Sequence, residues 1–274
     1  MQSLDILKIV RIHLSCIFLG KDIVELNMII TGILKGMVGI GTLINVGGIV
    51  AGGLGGLLFG RKMEERYQAT LMSAAGISVM ILGIGGVMEE MLAISQGELV
   101  SGGTIMLIFS FFIGALVGEW LNIELAMEHF GEWLKIKTNS SGDTKFVDGF
   151  VTASLTVCIG AMAVVGAIKD GISGDYSVLA VKGLLDMIII LVMTVSLGKG
   201  CIFSAVPVGI FQGLITLLAG LIEPVMTVQA LSNLSLTGSV LIFCVGVNLV
   251  WGKVIKVANL LPAIFFAVMF AFIL

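Results

Sequence analysis

Long apolar runs separated by short charged segments make up most of this chain. The uncharged gaps hold 25 residues after Lys35, 22 after Arg66, 20 after Glu98, 20 after Asp148, 23 after Lys199 and 18 after Lys256. A helix crosses the hydrocarbon core of a bilayer in about 20 residues. The pattern therefore predicts membrane-spanning α-helices.

Two less regular segments complete the predicted set of spans. Residues 177–198 are apolar except for Lys182 and Asp186, and the run from Val240 to Trp251 is long enough if its flanks contribute. We expect an all-α, polytopic transmembrane helical bundle over residues 37–274, with about eight spans. The predicted spans lie at about 38–60, 69–88, 102–122, 149–168, 177–198, 201–222, 237–252 and 256–273.

The composition agrees with a lipid environment. Only 12% of the residues are charged and the mean hydropathy is +1.14, whereas soluble domains carry about 25% charged residues. Because so few charged residues could not cover a surface that faces water, we expect the lipid bilayer to be a partner of this protein. The net charge of −3 comes without a basic stripe, which argues against a nucleic-acid partner.

Positive charges are concentrated on alternate loops of the predicted bundle. One side carries nine of them: Arg61, Lys62, Arg66, Lys135, Lys137, Lys145, Lys199, Lys253 and Lys256. The loops of the opposite side carry only Lys169. Cytoplasmic loops are enriched in Lys and Arg, so we expect a multi-pass protein of the inner (cytoplasmic) membrane whose nine-charge side faces the cytoplasm.

Residues 1–36 do not fit this pattern, because charged residues interrupt the apolar run before it is long enough to span. A signal peptide is one explanation, although no small-residue cleavage site follows. An amphipathic surface helix is a second. We favour a third, in which translation starts at Met28 or Met37 and the extension is not part of the mature protein.

Glycine recurs every four residues in span one, at Gly48, Gly52, Gly56 and Gly60, which we call the glycine stripe. Residues at this spacing share one helix face, and small residues there let another helix approach closely. Span three repeats the spacing with Gly114 and Gly118. Spans one and two also loosely resemble spans three and four, which indicates duplication of a two-helix unit.

Lys182 and Asp186 are charged residues inside span five. Their i, i+4 spacing places both on one helix face, and a charge at the centre of a membrane helix costs about 2.5–3.5 kcal/mol on insertion scales. One interpretation is a structural pair in which the two charges neutralise each other. The other is that Asp186 or its neighbours bind a cation or relay a proton.

Further polar residues occur in the other predicted spans and in the loop before span five. Amide side chains and loop carboxylates offer the oxygen ligands that small cations prefer. Each of them can also serve as an ordinary hydrogen-bonding group between helices. The candidate ion- or substrate-binding residues are therefore Asn45, Asp170, Asp175, Lys182, Asp186, Gln212 and Asn259.

Motifs for catalysis or cofactor binding are absent from the sequence. It contains no phosphate-binding Walker loop, no GxSxG, no HExxH and no dinucleotide fingerprint. The four cysteines are isolated and have no metal-ligand spacing: Cys16, Cys158, Cys201 and Cys244. We therefore expect no enzymatic activity, no cofactor and no catalytic or metal centre.

Four segments resemble a known family. They are GIGTLINVGGIVAGGLGGLLFG, CIGAMAVVGAIKDGISGDYSVLAVKGLLD, FSAVPVGIFQGLITLLAG and KVANLLPAIFFA. In this order they are similar to the YqgA-like bacterial membrane proteins, domain-of-unknown-function family 554, some of which have been labelled as candidate sodium channels or pumps. The resemblance covers residues 37–274. It implies that the characteristic positions are Asn45, Asp170, Gly171, Gly174, Asp175, Lys182, Asp186, Pro207, Gln212, Asn259 and Pro262.

Three functions are compatible with these sequence features. The leading hypothesis is a cation channel or secondary transporter for Na⁺ or H⁺. The second is an ion-coupled transporter of a small organic solute. The third is a membrane scaffold or sensor that transports nothing and binds a partner through the charged loop before span five. A homo-oligomer is compatible with each of the three.

The loop charges predict the orientation of the bundle. Reporter fusions after residue 64 and near residue 138 should report the cytoplasm, and a fusion near residue 95 should report the outside, because of the nine-to-one asymmetry. Alkaline phosphatase and green fluorescent protein fusions measure this. Opposite signals at two of the three sites would reverse the orientation.

Overall fold

A computed structural model of the chain describes residues 38–60, 63–95 and 98–273. The predicted extension, residues 1–36, lies outside the described residues. The predicted membrane domain starts at residue 37. The structure describes it from residue 38, as one helical bundle.

The described residues form helices joined by short connections. The helices are α1 (Ile40–Gly60), α2 (Glu65–Met91), α3 (Thr104–Leu121), α4 (Ile123–Lys137), α5 (Phe146–Cys158), α6 (Ala161–Ser173), α7 (Ser177–Leu197), α8 (Ala205–Leu217), α9 (Ala219–Ile222), α10 (Val228–Trp251), α11 (Val257–Leu260) and α12 (Pro262–Phe270), with 3₁₀ helices at Lys199–Ser204 and Glu223–Val225. Strands β1 (Leu92–Ser95) and β2 (Glu98–Ser101) form an antiparallel hairpin between α2 and α3.

Within the described part of the chain, six helical segments are long and apolar enough to cross a membrane. They are α1, α2, α3, α7, α10 and the 3₁₀ helix Lys199–Ser204 together with α8. A seventh span results if the bent pair α5 and α6 is counted as one. The segment from α11 to α12 is apolar but shorter, so the membrane bundle is confirmed while the number eight stays a prediction.

The faces of α3 show how this bundle suits lipid. Its buried positions include the small residues Ser110, Gly114 and Gly118. Large apolar side chains point outward instead: Phe112 is 69% exposed and Leu116 is 74% exposed. A protein in water does not leave such a surface uncovered, whereas membrane helices pack through small residues and turn large apolar ones to the hydrocarbon.

The glycine stripe packs α1 directly against α7. A Cβ atom at Gly48 would lie 2.5 Å from the Gly183 carbonyl oxygen, and one at Gly52 would lie 2.1 Å from the Met187 carbonyl oxygen. A Cβ at Gly56 would lie 2.5 Å from the Leu191 carbonyl oxygen. Residue numbers rise together on both helices, so α1 and α7 are parallel, and the predicted close contact of the stripe is confirmed.

Two antiparallel pairs complete the packing. Gly83 of α2 lies against Ser239 and Phe243 of α10, and Gly76 lies against Gly246. Gly118 of α3 lies against the Asn259 backbone at the start of the α11 to α12 segment. These contacts join the first half of the chain to the second throughout the bundle. The predicted duplication of a two-helix unit stays a prediction.

The fourth predicted span is not the continuous helix over 149–168 that the sequence favoured. Helix α5 ends at Cys158 and α6 starts at Ala161, and their axes are bent by 64°. Gly160 has a φ of 135°, a conformation that side-chain-bearing residues rarely adopt. The residues at the break are apolar, so hydropathy alone gave no sign of it.

Ion pairs tie helix ends together at the end of the bundle that carries Lys145, Lys253 and Lys256, which we call the positive end. Lys253 Nζ lies 2.8 Å from Glu128 and 3.0 Å from Asp148, and Lys256 Nζ lies 2.6 Å from Glu119. Burial lowers the pKa of Lys253, but its hydrogen bonds to Glu128 and Asp148 outweigh that effect, so the pKa is raised overall. The opposite end, which carries β1 and β2, is the hairpin end.

The packing of the glycine stripe predicts a sharp contrast within one helix. Gly52→Ala should lower the melting temperature of the purified protein, because its Cβ would collide with the α7 backbone. Gly47→Ala is the matched control: a Cβ there has no atom within 4 Å, and Ala is the better helix former by about 1 kcal/mol.

Thermal unfolding in detergent measures this contrast, and equal melting temperatures for the two variants would contradict the α1–α7 contact. Gly103 would be a poor control despite its position at a helix boundary. Its φ is 77° and its Cβ would lie 2.9 Å from Leu236.

Candidate functional site

Buried polar side chains gather where α1, α6, α7 and α8 meet. Each of them is at most 6% exposed. The helices belong together because α1 packs against α6, α7 and α8, and α6 packs against α7 and α8. We call the set the polar cluster; its members are Thr42, Asn45, Asp170, Lys182, Asp186, Gln212 and Thr216.

The charged pair of α7 is intact and sealed from solvent. Lys182 Nζ donates to Asp186 Oδ2 at 2.5 Å, and the two side chains are 8% and 5% exposed. The i, i+4 spacing brings them together on one helix face, as the sequence predicts. The contact confirms that the two side chains meet, and both interpretations of the pair, a structural one and a role of Asp186 in binding a cation or relaying a proton, stay predictions.

A second acceptor for Lys182 comes from the break between α5 and α6. Lys182 Nζ donates to the Val157 carbonyl oxygen at 2.8 Å. Carbonyls in the last turn of a helix lack an intrahelical donor, and the C-terminal end of a helix carries partial negative charge. The ammonium group therefore satisfies both the orphan carbonyl of α5 and the carboxylate of α7.

Asn45 of α1 lies beside this pair. Its side chain is fully buried and faces the Asp186 carboxylate. Neither of its polar atoms makes a hydrogen bond of standard geometry to a described residue. A Cβ at Gly183 would lie 3.0 Å from the Asn45 Cα, so the absence of a side chain at Gly183 lets the two helices meet at this level.

Asp170 is the second buried carboxylate of the cluster. It is 0% exposed, and its Oδ2 accepts the Gly41 N–H at 3.0 Å. Gly41 lies in the first turn of α1, where backbone N–H groups have no intrahelical acceptor and a negative charge is favoured. The other oxygen, Oδ1, has no hydrogen-bond partner among the described residues.

Gln212 and Thr216 of α8 and Thr42 of α1 add further buried polar atoms. Both side-chain polar atoms of Gln212 and the hydroxyls of the two threonines have no partner within the described chain. Buried polar atoms are satisfied in the great majority of native structures. Several unsatisfied polar atoms on helices that pack against each other indicate a place for a polar or charged ligand.

The remaining two candidate residues lie elsewhere. Asn259 is at the positive end, where its Nδ2 donates to Glu119 at 2.7 Å and its Oδ1 accepts the Glu124 N–H at 2.8 Å. Asp175 precedes α7, and its Oδ1 accepts the Ser177 N–H at 3.1 Å. The structure thus brings Asn45, Asp170, Lys182, Asp186 and Gln212 onto helices that pack together, and it places Asn259 at the positive end and Asp175 in the connection between α6 and α7.

The sequence alone does not predict some groups of the site. The Val157 carbonyl is exposed to Lys182 only because the helix breaks, and Thr42 and Thr216 are common residues inside apolar runs. Gly160 is the one sequence feature that indicates the break between α5 and α6. The residues described here contain no group of three or more His, Cys, Asp or Glu side chains that could hold a metal ion.

The comparison with protein families matches residues 40–272 to the model described as "Protein of unknown function (DUF554)". The chain belongs to this family. That membership confirms the resemblance of the four sequence segments to the YqgA-like proteins, and it covers every residue of the polar cluster.

Two curated relatives are similar over most of their length. "Uncharacterized membrane protein YdfK" of Bacillus subtilis (strain 168) is 30% identical over 224 residues, which is 82% of this chain and 92% of the relative. "Uncharacterized protein YqgA" of Escherichia coli (strain K12) is 25% identical over 232 residues, 83% of this chain and 94% of the relative. No solved structure matches the chain.

The geometry of the Lys182–Asp186 pair predicts how the stability of the protein changes when the pair is removed or broken. Lys182→Met should destabilise the protein, because the Asp186 charge would be left buried and unpaired. Breaking one partner of a buried pair costs about 3–5 kcal/mol, whereas replacing both with apolar residues is often neutral. The double variant Lys182→Met, Asp186→Leu should therefore melt closer to the wild type than the single variant.

Melting temperatures in detergent measure this response. The exposed pair Lys253 and Glu128 is the control, because surface ion pairs contribute about 0–1 kcal/mol. A double variant less stable than Lys182→Met would show that the pair is not internally neutralised.

Proposed function

We propose that this protein transports a small cation, Na⁺ or H⁺, across the cytoplasmic membrane, and that the polar cluster is the site where the cation binds. The observation that carries the proposal is the buried Asp170 carboxylate, whose Oδ1 has no hydrogen-bond partner in the described part of the chain. Ionisable residues inside a membrane protein are rare and mark ion pathways by default.

The chemistry of the cluster favours a small monovalent ion. Carboxylate, amide and hydroxyl oxygens are hard ligands, which suit alkali and alkaline-earth cations. The Lys182–Asp186 pair has no net charge, so Asp170 supplies a single negative charge. One negative charge is balanced by one Na⁺ or one proton.

The broken span supports the same function. Transporters commonly bind ions where a membrane helix is interrupted, because the unwound carbonyls and the half-helix ends offer partial charges. Here the break between α5 and α6 adjoins the polar cluster through the bond between Lys182 and Val157. Asp170 lies near the end of α6, the half-helix that follows the break.

Asp170→Asn tests the proposal with little disturbance of the fold. The amide oxygen can still accept the Gly41 N–H, while the negative charge is lost. Purified protein in proteoliposomes should show flux of ²²Na⁺ or of protons for the wild type, and Asp170→Asn should reduce that flux at least tenfold. Glu223→Gln is the control, since Glu223 is an exposed carboxylate of the hairpin end.

The outcomes separate the alternative functions. Cation flux that appears only together with a small organic solute would point to the ion-coupled solute transporter. No flux of either ion from the folded wild type, in either direction of the gradient, would sink the transport proposal and leave the scaffold or sensor. Undiminished flux in Asp170→Asn would remove Asp170 from the site.

A further inference from the structure

The Lys182 ammonium occupies a position whose surroundings are those of a cation site. Two oxygens lie within hydrogen-bond distance of Nζ: Asp186 Oδ2 at 2.5 Å and the Val157 carbonyl at 2.8 Å. The Asn45 side chain faces the same carboxylate, and its polar atoms make no hydrogen bond of standard geometry to a described residue. A carboxylate, a helix-end carbonyl and an amide are the kinds of group that hold alkali ions in membrane proteins.

Charge balance decides what a free cation could do there. Lys182 and Asp186 together carry no net charge, and both are buried. A cation that entered beside the protonated lysine would add one positive charge that the pair itself does not compensate, which is disfavoured in a medium of low dielectric constant. A cation that enters as Lys182 loses its proton keeps the site neutral.

We propose that Lys182 is a built-in competitor for the cation, so that the protein exchanges one monovalent cation for one proton at the Asp186 carboxylate. This inference rests on the proposed function, adds Asp186 to Asp170 as a cation-binding carboxylate of the polar cluster, and specifies the coupling. In the exchange, Lys182–NH₃⁺, Asp186–COO⁻ and one cation from water become Lys182–NH₂ and the cation-bound Asp186 carboxylate. The proton released from Nζ passes to water.

Other titratable groups near the pair are few. Helix α7 packs against α1, α2, α5, α6 and the 3₁₀ helix Lys199–Ser204. Helix α1 contributes no titratable residue, α5 contributes Cys158 close to both charges, and α6 contributes Asp170. Titratable residues of α5, α6 and the other two elements also lie near helix ends: Glu65, Arg66, Tyr67, Glu89, Glu90, Asp148, Lys169, Lys199 and Cys201.

Proton release on cation binding tests the exchange without any transport assay. NaCl is added to the purified full-length protein in weakly buffered detergent solution with a pH indicator dye, and choline chloride controls for ionic strength. The wild type should release one proton per Na⁺ bound. Its apparent Na⁺ affinity should rise about tenfold per pH unit as long as each bound Na⁺ displaces one proton, because the two events are linked.

Substitutions of Lys182 identify the source of the proton. Lys182→Arg keeps the positive charge but cannot give up its proton, so Na⁺-linked proton release should disappear. Lys182→Met removes the competitor and leaves the Asp186 carboxylate, so Na⁺ should still bind and should raise the melting temperature of this variant. Lys137→Arg, at an exposed position, and Cys158→Ala should behave like the wild type.

The results also distinguish this inference from the transport proposal. Na⁺-linked proton release that persists in Lys182→Arg, or Na⁺ binding to the wild type without proton release, would overturn the exchange. Cation flux in proteoliposomes could still be present in that case, and transport would stand without proton coupling. Absence of flux from every variant would instead remove the transport function on which the exchange rests.

Discussion

The close contact between α1 and α7 determines where the polar groups of this bundle lie. The glycine stripe lets the backbone of α1 reach the carbonyls of Gly183, Met187 and Leu191. Larger side chains there would push the helices apart and admit lipid or water beside Lys182 and Asp186. Because the contact is tight, both charges have only protein groups around them, and α1 brings Asn45 to the same level. The site therefore depends on the small size of the stripe glycines, which have no functional side chain of their own.

Two carboxylates share this interior but have different surroundings. Asp186 is matched by an ammonium group, which in turn caps the broken end of α5. Among residues 38–60, 63–95 and 98–273, Asp170 is matched only by a backbone N–H at the start of α1. Gly41 lies level with Leu179, and seven residues of α7 separate Leu179 from Asp186, which is about 10 Å at 1.5 Å per residue. The cluster thus extends along the bundle rather than forming a single point.

Much of the architecture could be predicted from the sequence, because charged residues are excluded from hydrocarbon and so outline the spans. Helices α1 and α7 begin and end within a few residues of the predictions at 38–60 and 177–198. The break in span four could not be found in the same way, since Ile159 and Gly160 are apolar and the freed Val157 carbonyl is satisfied by a residue 25 positions away. Nor does hydropathy show which helices are neighbours. For that reason the sequence predicts one binding site for Asn259, Asn45 and Gln212, although Asn259 belongs to the hydrogen-bond network of the positive end.

Neutrality is the constraint that connects this packing to coupled exchange. A buried site that alternates between two sides of a membrane has to be stable both loaded and empty, and a single charge in a medium of low dielectric constant is compensated in only one of these two conditions. The Lys182–Asp186 pair is neutral while the lysine keeps its proton, and the same carboxylate is neutral when a monovalent cation replaces that proton. States with both cations or with neither leave one unbalanced charge beside the α5 break. The buried lysine therefore makes loading with a cation and loss of a proton alternatives to each other, which is the condition for stoichiometric exchange.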